Sequence, residues 1–237
     1  MKRAFTLIEL LVAMSVIVVL AGISIPVIGV VRKQAKDAQC RNNLKQLFTG
    51  ITGYRMESNQ IFPQTLTIMF EEGQALAGES RKLLLCPFDG TKGNDATFNR
   101  HSQWASLPEL RTDPRNNQPL SLSYLFEAAH VPLNSNAQNW TFGDGTLWST
   151  HGTTWGVVKA AQLRKGGSVP STGGPGRPFN ESQFPIIRCF YHAPWATLPP
   201  ASLTEKVMNV SWDGSIFMSM PFWEHQMDPG IPLPTFL

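Results

Sequence analysis

The N-terminal segment restricts the possible structures of this chain more strongly than any other part of the sequence. Lys2 and Arg3 precede an apolar run, and no side chain from Leu10 to Val31 is ionisable. A helix of about 20 apolar residues crosses the hydrocarbon core of a bilayer, so this segment predicts a membrane-spanning helix. Glu9 interrupts the start of the run, and a charge within a bilayer costs about 2.5–3.5 kcal/mol. Such a carboxylate is retained when a partner offsets its charge.

Two common kinds of segment have an apolar N-terminus, the secretory signal peptide and the plain membrane anchor. The apolar region of a signal peptide is about 7–15 residues long, which is shorter than the run in this chain. A plain anchor gives no role to Glu9. Neither explanation therefore accounts for the whole segment.

The string FTLIELLVAMSVIVVLAGISIPVI resembles the N-terminus of type IV pilins and type II secretion pseudopilins. Proteins of that family have a short basic leader, a small residue, and Phe-Thr-Leu-Ile-Glu-Leu ahead of a long apolar helix. The resemblance implies that a prepilin peptidase cuts between Ala4 and Phe5 and methylates the new amino terminus of Phe5. It also makes Glu9 the assembly glutamate, and it places Pro26 where many members have a helix-bending proline. The family normally has Gly before the cut, where this chain has Ala4.

The implied cleavage also supplies a physical reason for the glutamate. It creates an α-amine at Phe5, and the amine of a neighbouring subunit could neutralise Glu9 in a packed filament. We therefore predict that Glu9 sets the register of subunits by pairing with the Phe5 amine of an adjacent copy.

The helix is predicted to continue beyond the apolar run as an amphipathic segment without proline. Its apolar side chains recur at spacings of three and four residues, which predicts one buried stripe, and they are Cys40, Leu44, Leu47, Phe48, Ile51 and Tyr54. We predict four regions in the chain, which are a leader (1–4), a transmembrane helix (5–31), an amphipathic continuation of the helix (32–57) and a globular body (58–237).

The body contains signals of strands, turns and a short helix. FPIIRCFY is typical of a strand, and VMNVSW and SIFMSM are two strand-like runs separated by the hairpin dipeptide Asp213-Gly214. TTWGVVKAAQLRKGG predicts a short helix ended by glycine. TLTIMFEEGQALAG suggests another short helix, RKLLLCP a strand or buried turn, SLSYLFEAAHV a strand, and GGSVPSTGGPGRPFNES a loop. The predicted fold class is α+β, with the long N-terminal helix packed on an antiparallel β-sheet as in pilins.

Two cysteines and one histidine of the body are candidates for a disulfide or a metal site. Cys189 and His192 have a spacing that could bind a metal, with Cys86 as a distant third ligand. Outside the cytoplasm, two cysteines in a sheet-rich body more often form a disulfide or lie buried. We therefore predict no metal site and name Cys86 and Cys189 as the candidate disulfide pair.

Three Asp-Gly pairs raise the question of calcium, at Asp89, Asp144 and Asp213. The pseudopilins that the N-terminus resembles can hold calcium in a C-terminal loop, and carboxylates suit that ion. Asp-Gly is first of all a turn dipeptide, and no dense acidic cluster accompanies these pairs. We predict that the protein has no cofactor, with calcium as the candidate to test.

The predicted function is that of a structural subunit in a type II secretion or type IV pilus-like filament. No catalytic sequence motif is present, so we predict that the protein is not an enzyme. The implied partners are a prepilin peptidase, other pilin or pseudopilin subunits, the inner-membrane assembly platform and the membrane. The net charge of +3 gives no argument for nucleic acid. The expected location is the bacterial inner membrane, with a single pass and the body facing the periplasm or exterior.

Three different functions remain open from the sequence. The first is that of a membrane-tethered envelope protein that does not polymerise and that binds carbohydrate or another surface through exposed tryptophans, with Trp148 and Trp155 as the candidates. Tryptophans that fill the core are the favoured interpretation of the same residues. The second is that of a pilin for adhesion or DNA uptake, and the third is that of an anchored enzyme.

Overall fold

The computed structural model describes residues 6–94, 108–110, 112–167, 178–192, 207–221 and 223–227. The chain divides into two compact units, Met1–Cys40 and Arg41–Leu237. The first unit is called here the N-terminal unit and the second the body unit. One helix, α1 (Leu7–Glu57), begins in the first and ends in the second.

The N-terminal unit consists of the first part of α1 and has an apolar surface. Among the side chains that the structure describes from residue 7 to residue 31, the large apolar ones are exposed by 46–81%, and they are Leu7, Ile8, Leu10, Leu11, Val12, Met14, Val16, Ile17, Val18, Val19, Leu20, Ile28, Val30 and Val31. Within the ranges that the structure describes, no helix has both the length and the apolar character needed to cross a membrane.

The part of α1 within the body unit packs through the predicted stripe. Leu44, Leu47 and Ile51 are buried, while Phe48 and Tyr54 are half-buried, which confirms the spacing argument. Burying such aliphatic side chains stabilises a fold by about 1.5–3 kcal/mol each. The buried face of this part of α1 also contains a polar residue that is not among the predicted apolar positions. The buried Asn43 donates through Nδ2 to the carbonyl oxygen of Leu85 at 3.1 Å.

The body unit contains a four-stranded antiparallel sheet with the order β3-β4-β5-β6. Its strands are β3 (Leu125–Phe126), β4 (Pro185–Cys189), β5 (Val207–Ser211) and β6 (Ile216–Ser219). A separate antiparallel pair is formed by β1 (Thr112–Asp113) and β2 (Gln118–Pro119). Every residue of β4 and β5 is buried. The fold class is α+β, as predicted.

The β5–β6 hairpin turns at the predicted dipeptide and contacts α1. Asp213 Oδ1 accepts from the backbone N–H of Ser215 at 2.9 Å, and Gly214 has a φ of +86°. Lys45 Nζ of α1 donates to the carbonyl oxygen of Gly214 at 2.8 Å. The hairpin therefore connects the sheet to the body portion of the helix, which confirms the predicted packing of helix on sheet.

The remaining elements are short and lie before, between and after the strands along the chain. The helices are α2 (Ser135–Gln138), α3 (Trp155–Lys165) and α4 (Trp223–Met227), and the 3-10 turns are Leu66–Phe70, Arg81–Leu84, Pro108–Leu110, Trp148–Thr150 and Glu181–Gln183. The predicted helix ended by glycine is α3, which stops at Gly166 with a φ of +68°. The predicted loop GGSVPSTGGPGRPFNES lies mostly outside the described residues.

One predicted strand is much shorter in the structure than the sequence pattern suggests. SLSYLFEAAHV forms a strand only at Leu125–Phe126. On one side Ser123 donates its N–H to the carbonyl of Leu84, and on the other Ala129 accepts from Gly156. The backbone of this buried segment forms hydrogen bonds with several different elements in turn. It therefore does not form a continuous ladder with one neighbouring strand.

Candidate functional site

Glu9 caps the start of its own helix. Its Oε2 accepts from the backbone N–H of Thr6 at 2.8 Å and from the Thr6 hydroxyl at 2.8 Å. The backbone N–H of Glu9 in turn donates to Thr6 Oγ1 at 3.3 Å. This reciprocal arrangement is a capping box, in which a Thr at the N-cap and a Glu three residues later satisfy each other's backbone donors. The string Thr-Leu-Ile-Glu carries that signal, so Glu9 has a capping role in addition to the role in assembly predicted for it.

The capping box holds a carboxylate at the start of α1, directly after the predicted cleavage site. The positive end of a helix dipole favours a negative group at this position. Ala4 and Phe5 lie outside the described residues, so cleavage, methylation and the pairing of Glu9 stay predictions. The backbone of α1 continues as helix through position 26, but the side chain of Pro26 is not described, and a bend at this proline stays a prediction.

The exposed apolar side chains of the N-terminal unit form a second functional feature. Soluble monomers rarely expose contiguous apolar patches of more than a few hundred Å², and a larger patch marks an interaction surface. The apolar surface here extends along successive residues from Leu7 to Leu20. A membrane or the same helix of other subunits could cover it.

Two cysteines and a histidine meet in the body unit and form what we call the thiol–imidazole cluster. Cys86 Sγ lies 4.0 Å from His192 Nε2, and the ligand atoms of Cys86, Cys189 and His192 all lie within 4.8 Å of one another. Both cysteines are buried and present as thiols, while His192 is half-buried. The predicted Cys86–Cys189 disulfide stays a prediction. The structure thus brings Cys86 together with Cys189 and His192, which lie more than 100 residues later in the sequence.

A buried group of charges, here called the charge cluster, links α3, α4 and the sheet. Lys159 Nζ lies 2.9 Å from Glu127 Oε2 and 3.9 Å from Glu224 Oε1. Arg188 Nη1 lies 3.1 Å from Glu127 Oε1, and its Nη2 donates to the carbonyl oxygen of Pro221 at 2.7 Å. The members of this cluster have no common motif or spacing, and the cluster was therefore not predicted from the sequence.

The two carboxylates of the charge cluster have pKa values that are shifted in opposite directions. Burial alone would raise the pKa of Glu127, but the positive charges of Lys159 and Arg188 outweigh burial and hold it below its ordinary value. Burial raises the pKa of Glu224 above its ordinary value, and Lys159 offsets this only in part. Lys159 and Arg188 therefore stabilise the negative charge of Glu127 more than that of Glu224. Such pairing is expected for a buried ion-pair network in a structural role.

The carboxylates of the three Asp-Gly pairs accept hydrogen bonds from backbone N–H groups of the turns in which they lie. Asp89 accepts from the N–H groups of Thr91 and Gly93 at 2.8 and 2.7 Å, and from the Ser123 hydroxyl at 2.6 Å. Asp144 accepts from the N–H of Thr146 at 3.0 Å. The bonds from Thr91, Gly93 and Thr146 are local bonds of the kind by which Asp stabilises turns, whereas Ser123 is distant from Asp89 in the sequence. Nothing in them tests calcium binding, which stays an expectation.

The tryptophans proposed for surface binding belong to the core instead. Trp148 and Trp155 are 0% and 1% exposed. Their ring centroids lie 5.8 Å apart in an edge-to-face contact, and Trp155 Nε1 donates to Glu109 Oε1 at 2.9 Å. The exposure predicted for these two rings in the carbohydrate-binding alternative is therefore wrong, and Trp148 and Trp155 give that function no support. The burial confirms the interpretation that these tryptophans fill the core.

Comparison with known proteins gives a match at the N-terminus. Residues 1–25 match the family model of the prokaryotic N-terminal methylation motif, which is the prepilin-type signature of pilin and pseudopilin proteins. The search of curated proteins and the search of solved structures give no match. The motif indicates a pilin-like substrate of prepilin peptidase with a membrane-anchored N-terminus, and it indicates a structural protein that assembles with other subunits.

Proposed function

We propose that this protein is a subunit of a type II secretion or type IV pilus-like filament. A prepilin peptidase cuts the chain between Ala4 and Phe5 and methylates the amino group of Phe5. The observation that carries this proposal is the match of residues 1–25 to the N-terminal methylation motif. The long helix that begins within the motif at Leu7 and continues to Glu57 supports it.

The N-terminal unit has the surface that such a subunit needs at two stages. Before assembly, residues 5–31 anchor the subunit in the inner membrane, with the body facing the periplasm or exterior. During assembly, the apolar side chains leave lipid and pack against the same helix in neighbouring subunits. One apolar surface serves both stages because lipid and other apolar helices are similar environments for it. The assembly platform of the inner membrane then acts on an already inserted helix.

Glu9 has a different partner at each stage of this proposal. In the stored subunit, the N–H and hydroxyl of Thr6 satisfy its Oε2, which lowers the cost of a carboxylate in the membrane. Cleavage then creates a positive amine on Phe5. In the filament, Glu9 pairs with the Phe5 amine of the adjacent copy and thereby fixes the axial register.

The mass of the N-terminal peptide tests the processing step. The full chain is produced in cells that contain an active prepilin peptidase and, as the control, in cells with an inactive one. We expect a chain that starts at methylated Phe5 only with the active enzyme. An Ala4→Gly variant should be processed to a larger fraction, because the family normally has Gly before the cut. A chain that retains Met1 beside the active enzyme, or one cut after Ala21, would contradict the proposal.

A further inference from the structure

We propose that Cys86, Cys189 and His192 bind a zinc ion within the body unit. In a tetrahedral zinc site, with Zn–S distances of about 2.3 Å and Zn–N distances of about 2.0–2.1 Å, neighbouring ligand atoms lie roughly 3.5–3.8 Å apart. Cys86 Sγ and His192 Nε2 are 4.0 Å apart, and no pair in the cluster exceeds 4.8 Å. The side chains therefore need to close by only about 1 Å around the ion.

The fold positions the ligands through segments that have their own supporting contacts. Cys189 is the last residue of β4 and lies opposite Met208 of β5. Cys86 follows the 3-10 turn Arg81–Leu84, and its carbonyl oxygen accepts from the N–H of Asp89 at 2.9 Å. A binding site held by a sheet and a bonded turn is preorganised, which reduces the free energy that binding must supply.

The donor set selects the class of metal. Two sulfurs and one imidazole nitrogen suit zinc or another soft ion and do not suit calcium or magnesium, which prefer oxygen ligands. When Zn²⁺ binds, Cys86 and Cys189 each release a proton and His192 binds as a neutral imidazole. The three side chains and the bound ion together have no net charge, because the two thiolates balance the two positive charges of Zn²⁺. A neutral product suits the burial of both cysteines.

The imidazole distinguishes a metal site from a disulfide. A disulfide would join the two sulfurs and would not account for a histidine nitrogen at the same point. The ring of His192 packs edge-to-face on Phe88, with centroids 4.8 Å apart, and this contact orients the imidazole. Because His192 is half-buried, an ion can reach the cluster from solvent.

The bound ion would have a structural role in the body unit. It would join the segment after Arg81–Leu84 to the end of β4, two parts of the chain that are distant in sequence. Structural zinc sites contribute directly to folding free energy. This site is independent of the proposed filament function and can be tested on subunits that have never assembled.

The test uses the full chain, solubilised in detergent, reduced and freed of metal, and then titrated with Co²⁺. We expect thiolate-to-cobalt charge-transfer absorption from at least two sulfurs, together with the intense visible bands of tetrahedral cobalt. Zn²⁺ should displace the cobalt and should raise Tm by roughly 5–10 °C at saturating ion. Elemental analysis after gel filtration should give about one zinc per chain.

Two variants and one control locate the binding site. Cys189→Ser and His192→Asn should each weaken zinc binding at least tenfold, and His192→Asn should keep the thiolate absorption while changing the visible bands. His151→Asn, which alters an exposed histidine outside the cluster, should bind like the wild type. Far-ultraviolet circular dichroism verifies that each variant is folded, and His192→Asn, at a half-buried position, keeps the test valid if Cys189→Ser does not fold.

Three results would overturn the proposal. The first is that the reduced chain retains no zinc after gel filtration. The second is that both cluster variants bind zinc as tightly as the wild type. The third is a peptide linked by a Cys86–Cys189 disulfide as the main species in protein taken from the native envelope under conditions that prevent exchange.

Discussion

At the scale of single residues, the carboxylate of Glu9 has two separable roles. It accepts bonds from Thr6 within its own helix, and we propose that it pairs with the Phe5 amine of the next subunit. A capping box accepts Gln in place of Glu, whereas an ion pair requires the charge. The Glu9→Gln and Glu9→Ala variants therefore distinguish the two roles.

We predict that both Glu9 variants are processed like the wild type but fail to form filaments. The measurement is the amount of subunit that sediments with sheared filaments, normalised to the amount of processed subunit in the membrane. If Glu9→Gln forms filaments at the wild-type level while Glu9→Ala does not, capping is the essential role, and the proposed ion pair is wrong.

A second prediction at this scale concerns the glycine of the β5–β6 hairpin. Gly214 has a φ of +86°, and a Cβ there would lie 2.4 Å from Cε1 of Phe48. Gly145 has a similar φ of +79° but nothing within 4 Å of such a Cβ. Gly145→Ala should lower the free energy of unfolding by about 1–2 kcal/mol, from backbone strain alone. Gly214→Ala should lower it by about 2–4 kcal/mol, because overpacking against Phe48 adds to the strain.

Urea unfolding of the full chain in detergent, followed by tryptophan fluorescence, measures the difference between the two glycine variants. Equal losses in both would show that Phe48 moves aside without cost. In that case the contact between the hairpin and α1 would contribute little to stability.

At the scale of elements, α3 offers a matched comparison of a buried and a surface lysine. Lys159 is buried in the charge cluster with Glu127 at 2.9 Å, whereas Lys165 lies at the surface with Asp144 at 2.6 Å. Lys159→Met leaves a buried carboxylate without one of its cations and should cost about 3–5 kcal/mol. Lys165→Met should cost at most about 1 kcal/mol. Thermal unfolding of both variants checks this, and a similar loss in each would contradict a structural role of the charge cluster.

The short β1–β2 hairpin leads to a prediction about acid stability. Arg115 donates through Nε to Asp113 Oδ1 at 2.8 Å and lowers the pKa of the Asp113 carboxyl from 3.8 to about 2. Between these two values the unfolded chain binds more protons than the folded chain. This carboxylate therefore stabilises the fold above about pH 4, and that stability is lost as the pH falls towards 2.

The Asp113→Asn variant tests this dependence on pH. Its free energy of unfolding should be lower than that of the wild type at neutral pH, and the difference should shrink as the pH falls from about 4 to 2. Urea unfolding at a series of pH values measures it. A difference that stays constant over this range would mean that Asp113 titrates alike in the folded and unfolded chain.

The elements that could be predicted from sequence are those with local signals. Asp213-Gly214 predicted the β5–β6 turn, and Gly166 predicted the end of α3, because both depend on neighbouring residues. The sequence pattern predicted a strand around β3 but not its length of two residues, because the flanking backbone bonds to Leu84 and Gly156 instead of continuing the ladder. The strands β1 and β2 were not predicted, since two residues are too few to show an alternating pattern.

At the scale of the whole molecule, the separation in sequence between the members of a site decided whether that site could be predicted. The methylation motif and the capping signal lie within a few consecutive residues. The thiol–imidazole cluster joins residues 86 and 192, and the charge cluster joins residues 127 and 224. Such sites depend on which segments the fold brings together. Sequence could nominate Cys86, Cys189 and His192 by residue type, but it could not place them at one point.

The division into two units predicts how the chain behaves when its N-terminal segment is removed. The exposed apolar side chains from Leu7 to Val31 belong to the N-terminal unit, whereas the buried residues Leu44, Leu47 and Ile51 belong to the body unit. A variant that lacks residues 1–31 should therefore keep its core and lose its affinity for the membrane. We expect the full chain to stay with membranes in alkaline carbonate and the shortened chain to be released as a folded monomer.

A variant that lacks only residues 1–4 is the matched control for this experiment, because it loses the leader and keeps the apolar surface. It should stay with the membranes like the full chain. Carbonate extraction and gel filtration measure the partition and the oligomeric state, and tryptophan fluorescence reports whether the buried Trp148 and Trp155 keep their environment. If the chain without residues 1–31 also stayed with the membranes, the body itself would hold the protein there, and residues 5–31 would be free to serve in subunit packing alone.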